Sequence, residues 1–169
     1  MKELYAYINK IYILRDLKRY NNSLRIKEES VAEHLTFVSL IVLKLTEYYK
    51  FDIKVALIMA LTHDISEIYV TDIPHNVKKR FNTVSKQIKL AEKEVFVSEF
   101  PNYYSFYEEL EYGKTIESKI VELADVLSCL QYSNSEIVLG NKGYMVEVYK
   151  YSKKRINKLL KELKKYARK

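Results

Sequence analysis

Three glycines and two prolines in 169 residues leave this chain few places to turn. Hairpins and sandwich corners draw heavily on those residue types, so their scarcity favours long helices over a turn-rich sheet. Apolar spacing points the same way. Over residues 2–18, Leu4, Ile8, Ile11 and Leu14 recur at helical intervals. Residues 18–30, KRYNNSLRIKEES, lose the period and read as a loop. Ser30 can cap the helix that follows, with Glu33 as the reciprocal member of a capping box. That helix is expected to reach about Tyr49 and to bury Val31, Val38, Ile41, Val42 and Leu45. Asp52 can cap a third helix over 53–61 that ends around His63. Pro74 biases Ile73 away from helical backbone, so a turn or short helix is expected there. VKKRFN then leads into a long helix over 84–99 that stops before Pro101. A short helix over 103–112 ends at Gly113, and Thr115 can cap a helix through Leu139 with Gly140 as terminator. A last helix covers 143–167. Repeats, low-complexity runs and linkers are missing, which predicts a single all-α domain over 1–169.

With 48% hydrophobic residues the chain can bury a substantial core. Its 16 tyrosines suit core positions with wetted hydroxyls and an interface between protomers. The net charge of +7 is concentrated in KKRINKLLKELKKYARK. That run reads as the solvated face of an amphipathic helix, and its charge can also raise the local concentration of an anionic substrate. Zinc-finger spacing, a basic zipper and aromatic–basic interleaving are all absent from the sequence, so no nucleic-acid polymer is expected as partner. The lone Cys129 lies in an apolar segment and reads as a core thiol. Glu3, Asn9 and Arg15 interrupt the first apolar stretch, and no run of 18 apolar residues exists. Neither a signal peptide nor a membrane span is expected, and a cytoplasmic setting is.

Four residues could hold a divalent ion. His63 and Asp64 follow a helix-length apolar run, His34 precedes them in SVAEHLTFV, and Asp125 comes late in IVELADVLSCL. Mixed nitrogen and oxygen donors suit first-row divalent metals. His34 shares a stripe with Val38, Ile41 and Leu45, so its ring should face inward. A hydrogen-bonded core histidine would look the same. His63 and Asp64 diverge on an ideal helix and reach one ion only where the helix end is turned. Asp125, between Leu123-Ala124 and Val126-Leu127, is costly to bury unpaired. A metal, a basic partner or a solvated helix flank would each remove that cost.

In this order, H…HD…D, the residues resemble the HD-domain metal-dependent phosphohydrolase superfamily over about residues 12–145. Several blocks are similar to the bacterial 5′-deoxynucleotidase (YfbR-like) family. They are Arg19-Tyr20, where the family carries tryptophan after the arginine, SVAEHL, THDISEIYVTDIPHNVK, ELADVL and Gly140-Asn141. The resemblance implies an HD-domain helical bundle with one divalent ion, cobalt, manganese or another transition metal, held by His34, His63, Asp64 and Asp125. It implies that Glu67 is catalytic, either handling the proton of the attacking water or protonating the leaving oxygen. Arg19 would bind phosphate, Tyr20 would stack on sugar or base, Asp72 would accept from the 3′-hydroxyl, and Lys78 would assist at the phosphate. Lys79 is a weaker candidate for the same role, since KKR is also an ordinary solvated run, and His75 reads as a loop histidine rather than a ligand.

The implied reaction is hydrolysis of a deoxynucleoside 5′-monophosphate by a homodimer. One alternative is a deoxynucleoside triphosphate triphosphohydrolase, which could use Lys18, Lys78 and Lys79 and would permit a hexamer. Others are a guanosine tetraphosphate hydrolase and a non-enzymatic helical metal-binding interaction protein.

Overall fold

The computed structural model describes residues 1–168, and among them no sheet forms. Lys169, the last residue of the expected domain, lies outside the described residues. Helix α1 (Lys2–Tyr12) runs into a 3-10 turn, and α2 (Val31–Leu45) and α3 (Ile53–Thr62) follow. Then come α4 (Glu67–Val70), α5 (His75–Arg80), α6 (Asn82–Glu99), α7 (Tyr104–Tyr112), α8 (Ile116–Val138) and α9 (Tyr144–Leu163).

The helix starts follow local chemistry. Ser30 Oγ accepts from Glu33 N at 3.2 Å while the Glu33 carboxylate accepts from Ser30 N at 2.7 Å, which closes the capping box of α2. Asp52 caps α3 through the amides of Lys54 and Val55, and Thr115 caps α8 through Ser118 N. Gly113 ends α7 at φ 60°, a left-handed position that suits glycine.

Three expectations shift. The first helix ends at Tyr12, and of its stripe Leu4 and Ile8 stay exposed while Leu14 is buried. Helix α2 stops at Leu45, short of Tyr49, and Ile41 is only half-buried. The approach to α6 is itself helical, because the chain re-enters helix directly after Pro74 and breaks at Phe81 (φ −121°, ψ 88°).

Helix α8 is the axis of the molecule. It buries residues on most of its circumference, as a helix enclosed by others must. Its Ile120, Leu123 and Ala124 pack with Val38 and Val42 of α2, Met59 and Ala60 of α3, and Leu159 and Leu163 of α9. A second cluster joins Leu14, Val31, Leu35, Ile65, Phe96, Phe100 and Tyr107. There Phe96 and Tyr107 stack at 4.4 Å and fix α6 against α7. Helices α2, α3 and α8 therefore meet around one point, and each brings a polar side chain to it.

Candidate metal centre

Helix α3 ends at Thr62, one residue before the pair that has to turn. His63 is its C-terminal cap, and residues 64–66 curl into α4, so His63 and Asp64 converge instead of diverging. His63 Nε2 lies 3.4 Å from Asp64 Oδ2 and 3.4 Å from His34 Nε2. His34 Nε2 in turn lies 3.1 Å from Asp125 Oδ1 and 3.8 Å from Asp64 Oδ2. Ligands about 2.1 Å from one ion sit roughly 3 Å apart at right angles. The donor atoms of His34, His63 and Asp125 all lie within 4.8 Å of one another, which fits a single small cation, and Asp64 stands beside this group rather than in it.

The outer nitrogens are engaged elsewhere. His63 Nδ1 donates to the carbonyl of Ala60 at 2.8 Å, which leaves the lone pair on Nε2. His34 Nδ1 faces Ser128 Oγ at 3.2 Å, and the ring is fully buried. Burial, then the nearby Arg19 charge, push the His34 imidazole down to about 4, so it is neutral at physiological pH and able to ligate. Burial alone would raise Asp125 and Asp64. The His34 contact and His63 outweigh it at Asp125, and the two imidazoles and Arg19 outweigh it at Asp64, so both carboxyls are held below their ordinary range. Two carboxylates facing two imidazole lone pairs form a donor set that suits a divalent ion.

A cleft of about 350 Å³ opens beside these donors, lined among others by Arg19, Tyr20, Glu67, Asp72, Lys78 and Cys129. Glu67 is buried, and its Oε2 has no hydrogen-bond partner among the described residues. Burial, reinforced by Asp64 and Asp72, pushes its carboxyl well above the usual range, so it can carry a proton. Arg19 is also buried. One guanidinium edge pairs with Glu29 at 3.1 Å and touches Cys129 Sγ at 3.6 Å, while Nε is unpartnered. Cys129 passes its own weak hydrogen bond to Asp125 at 3.5 Å. Burial beside Asp125 pushes its thiol up to about 12, which leaves it inert as a nucleophile. Lys78 pairs with Glu92 of α6 at 3.3 Å.

Two residues here hold left-handed backbone without being glycine, Tyr20 at φ 56° and Thr71 at φ 61°. They flank Asp72, whose Oδ2 accepts from Tyr20 N at 2.8 Å and stabilises the first of them. The Tyr20 ring is itself covered. It stacks on Tyr132 at 5.1 Å and 1°, with Tyr144 edge-on at 6.5 Å.

Sequence reasoning missed the residues that hold this apparatus. Glu29, read as loop, anchors Arg19 by side chain and by the backbone bond from Arg19 N to Glu29 O at 2.9 Å. Glu136 on α8 is fully buried and accepts from Ile26 N and Lys27 N, both at 2.7 Å, and from Asn141 Nδ2 at 2.9 Å. Asn141 also donates to Leu24 O at 2.9 Å, and Tyr132 donates to Lys27 O at 2.6 Å. The segment between Arg19 and Glu29 is thereby clasped to the far end of α8. Only the Gly140-Asn141 turn hinted at it.

Glu136→Ala removes the shared acceptor of the Ile26 and Lys27 amides and is expected to cost about 2 kcal/mol in urea unfolding. Burial would raise the Glu136 carboxyl, but its three donors hold it below its ordinary value. Such a group stabilises the fold above its unfolded pKa, roughly 4.3, and loses that contribution as pH falls through the folded value. The gap between wild type and variant should therefore narrow in acid; a gap that is constant with pH would count against the clasp.

The family model described as 5′-deoxynucleotidase YfbR-like matches residues 3–168. Among solved structures, PH0347 protein from Pyrococcus horikoshii OT3 is 26% identical with a TM-score of 0.78, over 92% of this chain and 93% of that one. An HD-domain phosphohydrolase from Listeria innocua is 24% identical with a TM-score of 0.76, over 96% and 86%. The HD phosphohydrolase DatZ of cyanophage S-2L, solved with dA and one catalytic zinc ion, is 14% identical with a TM-score of 0.68, over 89% and 82%. What these chains share with this one is the all-helical HD-domain fold. Among curated proteins, none matches the chain.

Proposed function

Because this chain belongs to the YfbR-like 5′-deoxynucleotidase family, we propose that it hydrolyses deoxynucleoside 5′-monophosphates to deoxynucleoside and phosphate. Family membership indicates a metal-dependent HD phosphohydrolase, and the monophosphate substrate is our reading. The observation that supports it most is the cluster of His34, His63 and Asp125 donors, with Asp64 beside it, next to a cleft that Glu67 and Arg19 line.

Those four donors would hold the ion, for which cobalt, manganese and zinc all suit the ligand chemistry. When bound, a divalent ion polarises a phosphate and lowers the pKa of coordinated water. The chain's own groups supply the rest. Arg19, braced by Glu29, lines the cleft and would bring its guanidinium charge to a phosphate oxygen. Glu67 holds a proton in a dry setting and can release it to the departing sugar oxygen, or ionised can accept one from water. Asp72 spends one oxygen on Tyr20 N and keeps the other for the 3′-hydroxyl. Tyr20, through its covered ring, bounds the sugar side. Lys78 adds positive charge, oriented by Glu92.

The triphosphate alternative would draw on Lys18, Lys78 and Lys79, of which Lys78 and Lys79 line the cleft. Lys78 is taken by Glu92, and Lys18 pairs with Glu28 at 3.3 Å away from the cleft lining. Product-resolved turnover of metal-reloaded protein tests the choice. Phosphate from deoxy monophosphates supports our reading, whereas tripolyphosphate from a deoxy triphosphate would replace it.

Asp72→Ala is expected to lower the deoxy-over-ribo ratio of kcat/KM about tenfold, the scale of one charged hydrogen bond, with metal affinity kept. An unchanged ratio would remove Asp72 from the sugar site. A single domain, a cytoplasmic setting and a homodimer belong to the same proposal. No helix of the described residues is long and apolar enough to cross a membrane. Exposed Leu4, Tyr5 and Ile8 on α1, with Phe37 and Leu40 on α2, offer apolar surface for dimerisation, and light scattering of the eluted protein would measure the assembly.

A further inference from the structure

We propose that His75 and Tyr151 form a nucleobase platform at the rim of the cleft, a stacking site for the base of the nucleotide whose phosphate sits at the floor. The inference rests on the reading of the cleft as a nucleotide site and adds where the base goes.

The cleft is graded from floor to rim. At the floor His34 is wholly buried and the groups are ionic. At the rim His75 is exposed and Tyr151 is 49% exposed, and both line the cleft. A nucleotide has the same polarity, an anion at one end and a flat, neutral π-system at the other. Its phosphate belongs with Arg19 and the ion that the four donors would hold, so its base is left at the rim.

The other aromatics near the cleft are occupied. Tyr20 and Tyr132 cover one another in a parallel stack and are 7% and 9% exposed. Tyr144 lies edge-on to Tyr20, and its hydroxyl accepts from Asn76 N at 3.2 Å. Among the described aromatics that line the cleft, His75 and Tyr151 are the exposed ones. Their centroids are 4.7 Å apart and their planes are tilted by 32°, so the two rings rest against one another and each leaves its outer face free. They belong to different elements, the start of α5 and the middle of α9. Aromatic faces bind bases in this way through stacking alone, worth roughly five- to 150-fold in affinity per base.

Equilibrium dialysis of deoxyadenosine against the metal-loaded protein tests the platform, because this probe has no phosphate and is not turned over. Tyr151→Ala is expected to weaken binding about fivefold or more, and Tyr151→Phe to stay within about twofold of wild type. His75→Ala, at an exposed position, should also weaken it. It carries the test with the same expectation if Tyr151→Ala does not fold by circular dichroism. Equal affinities for wild type and the alanine variants would overturn the platform, as would the absence of any deoxyadenosine binding by wild type. Monophosphate hydrolysis combined with unchanged deoxyadenosine affinity sinks the platform and leaves the activity standing. Deoxyadenosine binding that depends on Tyr151, in a protein that hydrolyses no monophosphate, does the reverse.

Discussion

Asp125→Ala is expected to yield a folded protein that neither retains a divalent ion nor turns over phosphate ester. Asp125 projects from the central helix α8, and its Oδ1 sits 3.1 Å from His34 Nε2. It is only half-buried, so removing it opens no sealed cavity, and it takes away one of two like charges that face each other. The fold should therefore survive, with a somewhat lower melting temperature because the native contacts that hold the Asp125 carboxyl down are lost. The site loses one of four donors and half its negative charge, and turnover should drop by about 10³-fold or more, because the electrophile is already anionic. Metal content after dialysis, read alongside turnover, separates this from unfolding. His63→Ala should behave alike. An Asp125→Ala protein that keeps both its metal and its rate would sink the assignment.

Glu67→Gln is expected to do the opposite to the metal and the same to the rate. The amide keeps the shape of the carboxyl but has no transferable proton, and loss of a positioned acid or base costs about 10²–10⁴-fold. Metal content should stay at the wild-type level, because no donor has been touched. Folding stability should hold or rise by about 1 kcal/mol, since a buried carboxyl with an unpartnered oxygen and carboxylate neighbours is replaced by a neutral group. Wild-type turnover in Glu67→Gln would leave proton transfer to another group.

The parts of this molecule that could be read from sequence are the parts written in neighbouring residues. Ser30 with Glu33, Asp52, Thr115 and Gly113 are local signals, and each stands at the helix end it announces. The apolar stripe of α2 told which way His34 faces. The break at Phe81 carries no glycine or proline to mark it, so α5 was merged into the approach to α6. The length of α1 was overstated because its stripe is periodic but mostly exposed. The brace of Arg19 by Glu29 and the clasp of Ile26 and Lys27 by Glu136, 110 and 109 residues away, are tertiary facts with no local signature. Tyr20 could be placed by its neighbour Arg19, but its cover by Tyr132 depends on how α8 lies across the loop.

The central place of α8 also sets a schedule. A chain made from its amino end exposes His34, His63 and Asp64 early, with α2 and α3 carrying apolar faces that have as yet nothing to cover them. Asp125 and Glu136 come only with the helix that fills that gap, and α9 must follow to enclose it. Capture of an ion by the four proposed donors would therefore wait for nearly the whole polypeptide, and a nascent chain halted before residue 125 would carry three of them without the scaffold that gathers them. A bound metal would then report that synthesis and long-range assembly are complete.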